Sequence, residues 1–292
     1  MSNIQLTFKG ATAQVQLRGA QLVSYKTPEG REVLWQGDAW PEHSPVLFPV
    51  CGTVNHETIR IAGKSYPMAK HGFTRSPDFT PVKIGDDFAE LVLGPTKESK
   101  PMYPFDFAFH VTHTLQEKGF TTTLTVENKS DRVMPFCVGG HPGFACPMEE
   151  GARFEDYDVV FSSPEDGLNS LVPNGGCITG TELLPTLRDE GVIHLNHDLF
   201  DERDALVLTT VSSRSVRLIH RTSGRGLRFD FPKMEVLAIW SKPGANADYV
   251  CLEPWHGMPD TADASGNFED KPYVTLLDPG KAWQGSFTVT LI

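Results

Sequence analysis

Hydrophobic and polar residues alternate along much of the chain with the period of two that is typical of half-buried β-strands. One clear run extends from Phe105 to Val111, where large apolar residues occupy every second position. No segment keeps an amphipathic helical pattern for more than a turn or two, so βαβ units and a parallel sheet are not expected. We therefore predict an all-β protein in which any helices are short. The shorter alternating runs cover residues 4–8, 13–17, 122–126, 206–208, 216–219, 227–231, 237–240, 274–277 and 285–291.

The domain organisation follows from what the chain lacks. Its 292 residues could form one large β domain or two ordinary ones. The 26 glycines and 22 prolines are spread along the sequence, and no Ser/Gly-rich or charged linker divides it. We predict a single domain over residues 1–292. Residues 164–190 are poor in alternation and rich in Gly, Pro and Asn, which predicts a long surface excursion or a loosely paired edge.

Acidic side chains outnumber basic ones. The chain has 37 Asp and Glu against 26 Lys and Arg, which gives a formal net charge of -11 and a pI of about 5.4. Nucleic acids and anionic membranes bind cationic surfaces, so neither is expected as a partner. An uncharged ligand is easier to accommodate.

The cysteines and the N-terminus bear on location. The five cysteines are scattered, odd in number and free of C-x-x-C spacing, which indicates buried thiols rather than a disulfide framework or a thiolate metal site. The first residues lack the features of a signal peptide, and no run of 18 apolar residues occurs. We predict a reducing, cytoplasmic location.

Three short segments combine titratable side chains with glycine or proline. Glycine lets a backbone approach a ligand closely and proline fixes φ, so His141 between Gly140 and Pro142 would be preorganised. For that motif alone, the alternative is a turn histidine that caps a strand end. Three such segments together favour a functional site. They are residues 70–75 (KHGFTR), 139–144 (GGHPGF) and 251–257 (CLEPWHG).

Glu253 follows an apolar run, and the period of two places it on the same face as Cys251 and opposite Leu252. A carboxylate there would be partly buried beside Trp255, whose flat apolar surface suits the C–H face of a sugar. A partly desolvated glutamate and His141 could then act as base and acid near neutral pH. The alternative for Glu253 alone is a core carboxylate paired to an arginine.

Other kinds of site find little support. His71, His141 and Glu253 come from distant segments without H-x-H or H-E-x-x-H spacing, so we predict no metal site. No phosphate-binding loop, dinucleotide fingerprint or G-x-S-x-G elbow occurs. A single well-placed glutamate, rather than a pair of carboxylates, disfavours a lyase or hydrolase.

The motifs resemble those of the aldose 1-epimerases, specifically the branch of mutarotase-like proteins found beside lactose and galactose utilisation genes in bacteria. The similarity extends nearly from end to end, and several motifs in the same order argue against chance. The matching segments are residues 19–24 (GAQLVS), 34–38 (LWQGD), 44–49 (SPVLFP), 71–75 (HGFTR), 139–144 (GGHPGF), 204–207 (DALV), 239–244 (IWSKPG) and 251–260 (CLEPWHGMPD).

This resemblance implies a large antiparallel β-sandwich with a monosaccharide bound in an open cleft. It implies that His141 is the general acid that protonates the ring oxygen, while Glu253 removes the proton from the anomeric hydroxyl. A free aldose would thus interconvert between its anomers without a cofactor. His71 is expected to hydrogen-bond the substrate near the ring oxygen. The expected assembly is a monomer or a homodimer.

Asp204 and Trp240 are expected to contact sugar hydroxyls farther round the ring. The alignment of Asp204 rests on a short stretch, and Asp198 or Asp201 would replace it if the register slipped. A strand-start carboxylate in solvent is the alternative for Asp204.

Thr53 departs from the family pattern. Many relatives carry an arginine directly after the Phe-Pro-x-x-Gly stretch, where it contacts sugar hydroxyls, but here residues 48–52 (FPVCG) precede Thr53. Loss of a five-donor guanidinium should change which hydroxyls are bound. Arg75 could supply a replacement charge or form a surface ion pair, and mutarotases of phosphorylated sugars place an arginine near their ligand. The alternatives are therefore a sugar-phosphate mutarotase and a carbohydrate-binding or sensing protein without turnover.

Overall fold

The computed structural model describes residues 3–292, and strands make up nearly all of its regular structure. The all-β fold class predicted from the alternating pattern is confirmed. In chain order the strands are β1 (Asn3–Phe8), β2 (Ala11–Gln16), β3 (Leu22–Lys26), β4 (Val46–Leu47), β5 (Thr58–Ile61), β6 (Lys64–Pro67), β7 (Thr80–Ile84), β8 (Phe88–Leu93), β9 (Phe107–Gln116), β10 (Gly119–Asn128), β11 (Met134–Phe136), β12 (Val138–Gly140), β13 (Gly143–Ala145), β14 (Tyr157–Phe161), β15 (Leu168–Leu171), β16 (Gly180–Leu183), β17 (Val192–His194), β18 (Ala205–Leu208), β19 (Ser215–His220), β20 (Gly226–Asp230), β21 (Val236–Trp240), β22 (Tyr249–His256), β23 (Thr275–Leu277) and β24 (Ala282–Leu291).

The helices are short, as predicted. Two α-helices of six residues each, α1 (Pro185–Glu190) and α2 (Asp198–Arg203), lie in the second half of the chain. Within residues 3–292 no helix has the length and apolar character needed to cross a membrane. Single 3₁₀ turns occur at Asn55–Glu57, Phe154–Asp156, Pro173–Gly175 and Phe268–Asp270.

Two large sheets contain most of the strands. The first has nine strands in the order β17-β14-β19-β20-β24-β10-β9-β8-β7. The second has the order β16-β15-β18-β21-β22-β12-β4, and β13 makes it eight-stranded by pairing with β22. Neighbouring strands within both sheets run antiparallel. This arrangement matches the predicted antiparallel sandwich.

Strand β9 shows how the sequence pattern produces the sheet. Its side chains alternate between buried and half-buried along most of its length, with Phe107 and Phe109 facing inward. The predicted start at Phe105 is two residues too early. The backbone N–H of Asp106 donates to the Ser130 hydroxyl at 2.8 Å and not to a neighbouring strand. The backbone pairing of β9 with β10 therefore begins at Phe107.

The core lies between the two large sheets. Phe144 on β13 meets Phe229 on β20 with ring centroids 5.9 Å apart, which places the inner faces of the two sheets in contact. One continuous cluster of buried apolar side chains extends from Leu6 to Val289. Four of the five cysteines are buried as thiols, three of them in this cluster and Cys251 in a smaller one. We infer from the shared core that the described residues fold as one domain.

The poorly alternating segment at residues 164–190 forms an edge. Strands β15 and β16 pair with each other over four residues, but β15 meets β18 through the single pair Ser170 and Val207. The prediction of a loosely paired edge is therefore confirmed, with α1 following directly after it.

Candidate active site

A cleft of about 220 Å³ opens on the outer face of the eight-stranded sheet. Its volume suits a ligand smaller than the drug-sized molecules held by typical pockets of roughly 300–1,000 Å³. The strands contribute Glu253 from β22 and Trp240 from β21, while His141 follows β12. All six site residues predicted from the sequence line this cleft: His71, Arg75, His141, Asp204, Trp240 and Glu253.

The floor of the cleft follows from strand register. Glu253 pairs across the sheet with Ala238, whose small side chain leaves open space beside the carboxylate. Residues two apart share a face, so Glu253 and Trp255 both border the cleft, whereas Leu252 points into the core between the sheets. The orientation predicted from the period of two is confirmed.

His141 and Glu253 form a close, buried pair. The imidazole Nε2 lies 3.1 Å from the carboxyl Oε2, and the two residues are 7% and 2% exposed. These atoms are near enough for an ion pair but are not aligned for a hydrogen bond, so Oε2 of Glu253 lacks a hydrogen-bond partner. The other ring nitrogen of His141, Nδ1, lacks one as well. Buried polar atoms are normally satisfied by protein groups or water, so unpaired atoms beside a cleft have capacity to bond to a ligand there.

Burial pushes the pKa values of this pair in opposite directions. Desolvation, followed by the positive charges of Arg75 and Lys70, lowers the pKa of His141 to about 3. Desolvation also raises the pKa of Glu253 well above its usual range, although Lys70 and Arg75 oppose that shift. Both shifts favour the uncharged forms, an imidazole and a carboxylic acid, so burial favours the state in which the pair carries one titratable proton and no net charge.

His71 is held in one tautomer by Gly52. The backbone N–H of Gly52 donates to the ring nitrogen Nδ1 of His71 at 3.1 Å, and the backbone N–H of His71 donates to the Gly52 carbonyl at 3.0 Å. Burial keeps the pKa of His71 well below its ordinary value, so the ring is neutral and its remaining proton is on Nε2. His71 is thus set to donate a hydrogen bond through Nε2.

The backbone at His71 is constrained. Its φ is 66°, in the left-handed region that few side chains adopt. Gly72 follows with φ 76°, and a Cβ there would lie 2.0 Å from the Phe48 carbonyl oxygen. Only glycine fits, which explains the His-Gly order in this motif. Strained backbone of this kind is typical of functional sites.

The same tautomer bears on metal binding. Ligand atoms of His71, His141 and Glu253 lie within 4.8 Å of one another, a spacing that could hold a metal ion. A metal would need a lone pair on His71, but Nδ1 already accepts from Gly52 and Nε2 carries the proton. The cluster is therefore better suited to proton transfer than to metal ligation.

Asp204 is the one aspartate of the three candidates that reaches this cleft. It follows α2 with φ 64° and ψ -64°, and Trp240 Nε1 donates to its Oδ1 at 3.4 Å. Asp198 is exposed, and Asp201 accepts instead from the backbone N–H of Gly244 at 2.7 Å.

Arg75 and Thr53 both border the cleft. Arg75 is half-buried, and its guanidinium forms no ion pair with any residue in the range 3–292. The Thr53 hydroxyl donates to the Gly175 carbonyl at 2.6 Å, so it is used within the protein.

Sequence reasoning missed two residues of the site. Trp40 stacks on His141 with ring centroids 4.9 Å apart and an angle of 27° between the planes. Lys70 borders the cleft beside His71. Trp40 arrives on a loop far from the His141 motif and has no sequence signal. Lys70 directly precedes His71 in the first motif, so its place in that motif was the signal that could have identified it.

Comparison with known proteins identifies the family of this chain. The model of the aldose 1-epimerase family matches residues 2–287. The chain belongs to the aldose 1-epimerase family. The family predicted from the motifs is therefore confirmed.

Relatives of this aldose 1-epimerase family member match it over its whole length. The plasmid and chromosomal LacX proteins of Lactococcus lactis subsp. lactis are each 32% identical over 298 aligned residues, which cover 99% of both chains. The galactose mutarotase related enzyme of Lactobacillus acidophilus has a TM-score of 0.91 and 29% identity, covering 100% of this chain and 97% of its own. A galactose mutarotase-like protein of Lactobacillus casei has a TM-score of 0.91 and 28% identity, with 100% of both chains covered.

Proposed function

We propose that the protein interconverts the α and β anomers of a free aldose, with His141 and Glu253 as its acid and base. The observation that carries this proposal is the buried pair itself. Its two titratable groups lie 3.1 Å apart, share one proton and keep unpaired polar atoms beside a sugar-sized cleft.

The proton balance suits ring opening. Burial favours the tautomer of the pair with the shared proton on Glu253, so ring opening begins once that proton has moved to His141. Nε2–H of His141 then protonates the ring oxygen while Glu253 takes the proton from the anomeric hydroxyl, and the C1–O5 bond breaks. The products are a neutral open-chain aldehyde and a pair that still holds one proton, now on Glu253. Rotation about C1–C2 presents the other face of the aldehyde. Ring closure then runs the two transfers in reverse and yields the other anomer.

Neighbouring residues would position the sugar for these transfers. The neutral His71 would donate from Nε2 to an oxygen near C1, since Gly52 fixes its tautomer. Asp204 would accept from hydroxyls farther round the ring, with Trp240 holding its carboxylate. Trp255 offers an apolar surface against the sugar ring.

Polarimetry of freshly dissolved α-anomers tests the proposal directly. We expect the protein to accelerate the change in optical rotation of at least one common aldose above the spontaneous rate. Saturable binding of the sugar without acceleration would instead identify a carbohydrate-binding or sensing protein. Neither binding nor acceleration with any common aldose or aldose phosphate would reject the proposal.

A second candidate is a mutarotase that acts on a sugar phosphate. The cationic side chains of Lys70 and Arg75 both border the cleft, although the protein as a whole is acidic. An anionic substrate would find complementary charge there. The same assay separates the two candidates, because a phosphate mutarotase would prefer the aldose phosphate over the free aldose by its kcat/KM.

A further inference from the structure

Lys70 and Asp204 approach the same point on the rim of the cleft. A Cβ placed on Gly175 would lie 2.2 Å from Nζ of Lys70 and 2.9 Å from Oδ2 of Asp204. The two charged groups nevertheless form no ion pair with each other, and Lys70 forms none with any other residue from 3 to 292. An ammonium donor and a carboxylate acceptor therefore stand side by side next to the cleft, with bonding capacity left for a ligand.

The turn that carries Gly175 is firmly anchored. Its carbonyl accepts from the Thr53 hydroxyl at 2.6 Å, and the Cys177 thiol donates to Oδ1 of Asn55 at 2.9 Å. The backbone N–H of Ile178 donates to the Asp260 carbonyl at 2.7 Å. Thr53 thus supports the wall of the cleft, at the position where the family resemblance led us to expect a sugar-binding arginine.

Position across the sheet indicates which part of a sugar would meet this rim. Asp204 directly precedes β18, while Glu253 lies on β22, and β21 separates these two strands. At about 4.7–4.9 Å per strand, β18 and β22 are roughly 9–10 Å apart. Asp204 lies farther still from Glu253, because it precedes by three residues Val207, which is in register with Glu253 through Ala238. An aldose with C1 at Glu253 would therefore present the hydroxyls of its far ring carbons to Lys70 and Asp204.

We propose that Lys70 is a specificity-determining residue that, together with Asp204, binds a ring hydroxyl remote from C1 and replaces the arginine for which Thr53 stands. A hydroxyl both accepts and donates, so it can accept from the ammonium and donate to the carboxylate at once. This inference rests on the proposed function, since it places C1 at the His141 and Glu253 pair.

A set of monodeoxy sugars tests the role of Lys70. Lys70→Met keeps the length of the side chain and removes its charge, and Lys64→Met on β6 is the matched control outside the cleft. With the preferred aldose, we expect Lys70→Met to raise KM by about 10- to 100-fold, the range for a hydrogen bond to a charged group, with kcat changed far less. Lys64→Met should match the wild type.

The decisive result is an interaction between variant and analogue. One deoxy sugar should be a poor substrate for the wild type, and Lys70→Met should lose nothing further with that analogue. Thr53→Val, which removes the anchor of Gly175 but keeps the shape of the side chain, should weaken binding of the same parent sugar in the same direction and by less. An equal rise in KM with every sugar and analogue would overturn the proposal. Lys70 would then affect the fold or the charge of Glu253 and would not bind one particular hydroxyl.

The experiment distinguishes failure of the role of Lys70 from failure of the proposed catalysis. If the wild type accelerates no anomerisation, the proposed catalysis fails, and calorimetric titration with the same sugars measures the effect of Lys70→Met on affinity instead. If the wild type is active and Lys70→Met behaves like Lys64→Met throughout, the catalytic proposal stands and the role of Lys70 is rejected.

Discussion

Two buried pairs each combine a basic and an acidic side chain, and they differ in how completely they are hydrogen-bonded. In the first pair, Lys271 binds Oδ1 of Asp260, while the other carboxylate oxygen accepts from the backbone N–H of Asn55 at 2.9 Å. In the second pair, His141 and Glu253 lie 3.1 Å apart, and each keeps a polar atom without a hydrogen bond. Burial is similar, since all four residues are at most 7% exposed.

The difference separates a structural pair from the pair that we propose to be reactive. Taking charges out of water is costly, and full hydrogen bonding offsets that cost. Asp260 meets this condition and ties the segment around Asn55 to the loop after β22. His141 and Glu253 do not meet it, and burial shifts their pKa values toward the uncharged forms. Bonding capacity that the protein leaves unused is then available to a substrate.

Removal of the reactive carboxylate should have the largest effect. We expect Glu253→Gln to lower kcat by about 10²- to 10⁴-fold, the usual contribution of a positioned acid or base, because the amide cannot accept the anomeric proton. Polarimetry with the preferred α-aldose measures this loss. His141→Asn should show a loss of similar size, and a variant with wild-type kcat would contradict the assigned roles.

The same substitution should not destabilise the fold. The folded-state pKa of Glu253 is raised, so the folded protein holds a proton that the unfolded chain has released above about pH 4.5. The contribution of Glu253 to the free energy of unfolding is therefore fully present below that pH. Above it, this contribution falls by up to about 1.4 kcal/mol per pH unit, until the pH reaches the raised pKa. The free energy of unfolding of Glu253→Gln, relative to wild type, should increase from pH 5 to pH 8 in urea titrations.

Breaking the fully bonded pair, Lys271 and Asp260, should reduce stability more than catalytic rate. Lys271→Met leaves the Asp260 carboxylate buried without its cation, which we expect to cost about 3–5 kcal/mol of unfolding free energy. The rate per folded molecule should fall far less than in Glu253→Gln. Adding Asp260→Asn to Lys271→Met should recover part of the stability, since no charge then stays unpaired. A stable Lys271→Met protein would contradict the structural role.

The pH dependence of kcat/KM should reflect the burial of the His141 and Glu253 pair. The His141 and Glu253 pair holds one proton from the lowered pKa of His141, about 3, up to the raised pKa of Glu253. An ordinary pair with pKa values near 6.5 and 4.5 would lose that proton above about pH 6.5. We expect a flat profile from about pH 5 through pH 7, measured after subtraction of buffer-catalysed mutarotation. A steep fall between pH 6 and pH 7 would show that burial does not control the pair.

Sequence patterns predicted the sheet face of each strand residue better than the path of the loops. The period of two placed Glu253 on the cleft side of β22, because successive side chains of a strand point to opposite faces of the sheet. Lys64 and Lys70, by contrast, lie six residues apart, and only the second reaches the cleft. Trp40 could not be predicted to stack on His141, because the turn that carries it pairs with no recognisable partner segment.

Asp204 could not be distinguished from its neighbouring aspartates by sequence for a related reason. Asp198, Asp201 and Asp204 recur every three residues, so helical spacing does not distinguish them sharply. Asp204 reaches the cleft because the chain leaves α2 there with a positive φ, a backbone choice that tertiary contacts impose. Local propensity carries no signal for such a conformation at a non-glycine residue.

The smallest effect should come from His256, which lies in the same motif as Glu253. It points away from the cleft side of β22: its Nδ1 meets Oε2 of Glu235 and its Nε2 meets the Thr275 hydroxyl, both at 2.6 Å. With both nitrogens bonded, it has no capacity left for a substrate. We expect His256→Asn to cost about 1–2 kcal/mol of stability and to change kcat/KM by less than about threefold.

The matched comparison is with His141→Asn, which makes the identical chemical change on a histidine with an unpaired nitrogen. Sequence context does not separate the two histidines, since each lies beside glycine or proline in a recognised motif. If bonding capacity determines function, kcat should fall only in His141→Asn, and the unfolding free energy should fall more in His256→Asn. Equal catalytic losses per folded molecule in both variants would refute that rule, because they would show that proximity to the cleft matters more than an unused hydrogen bond.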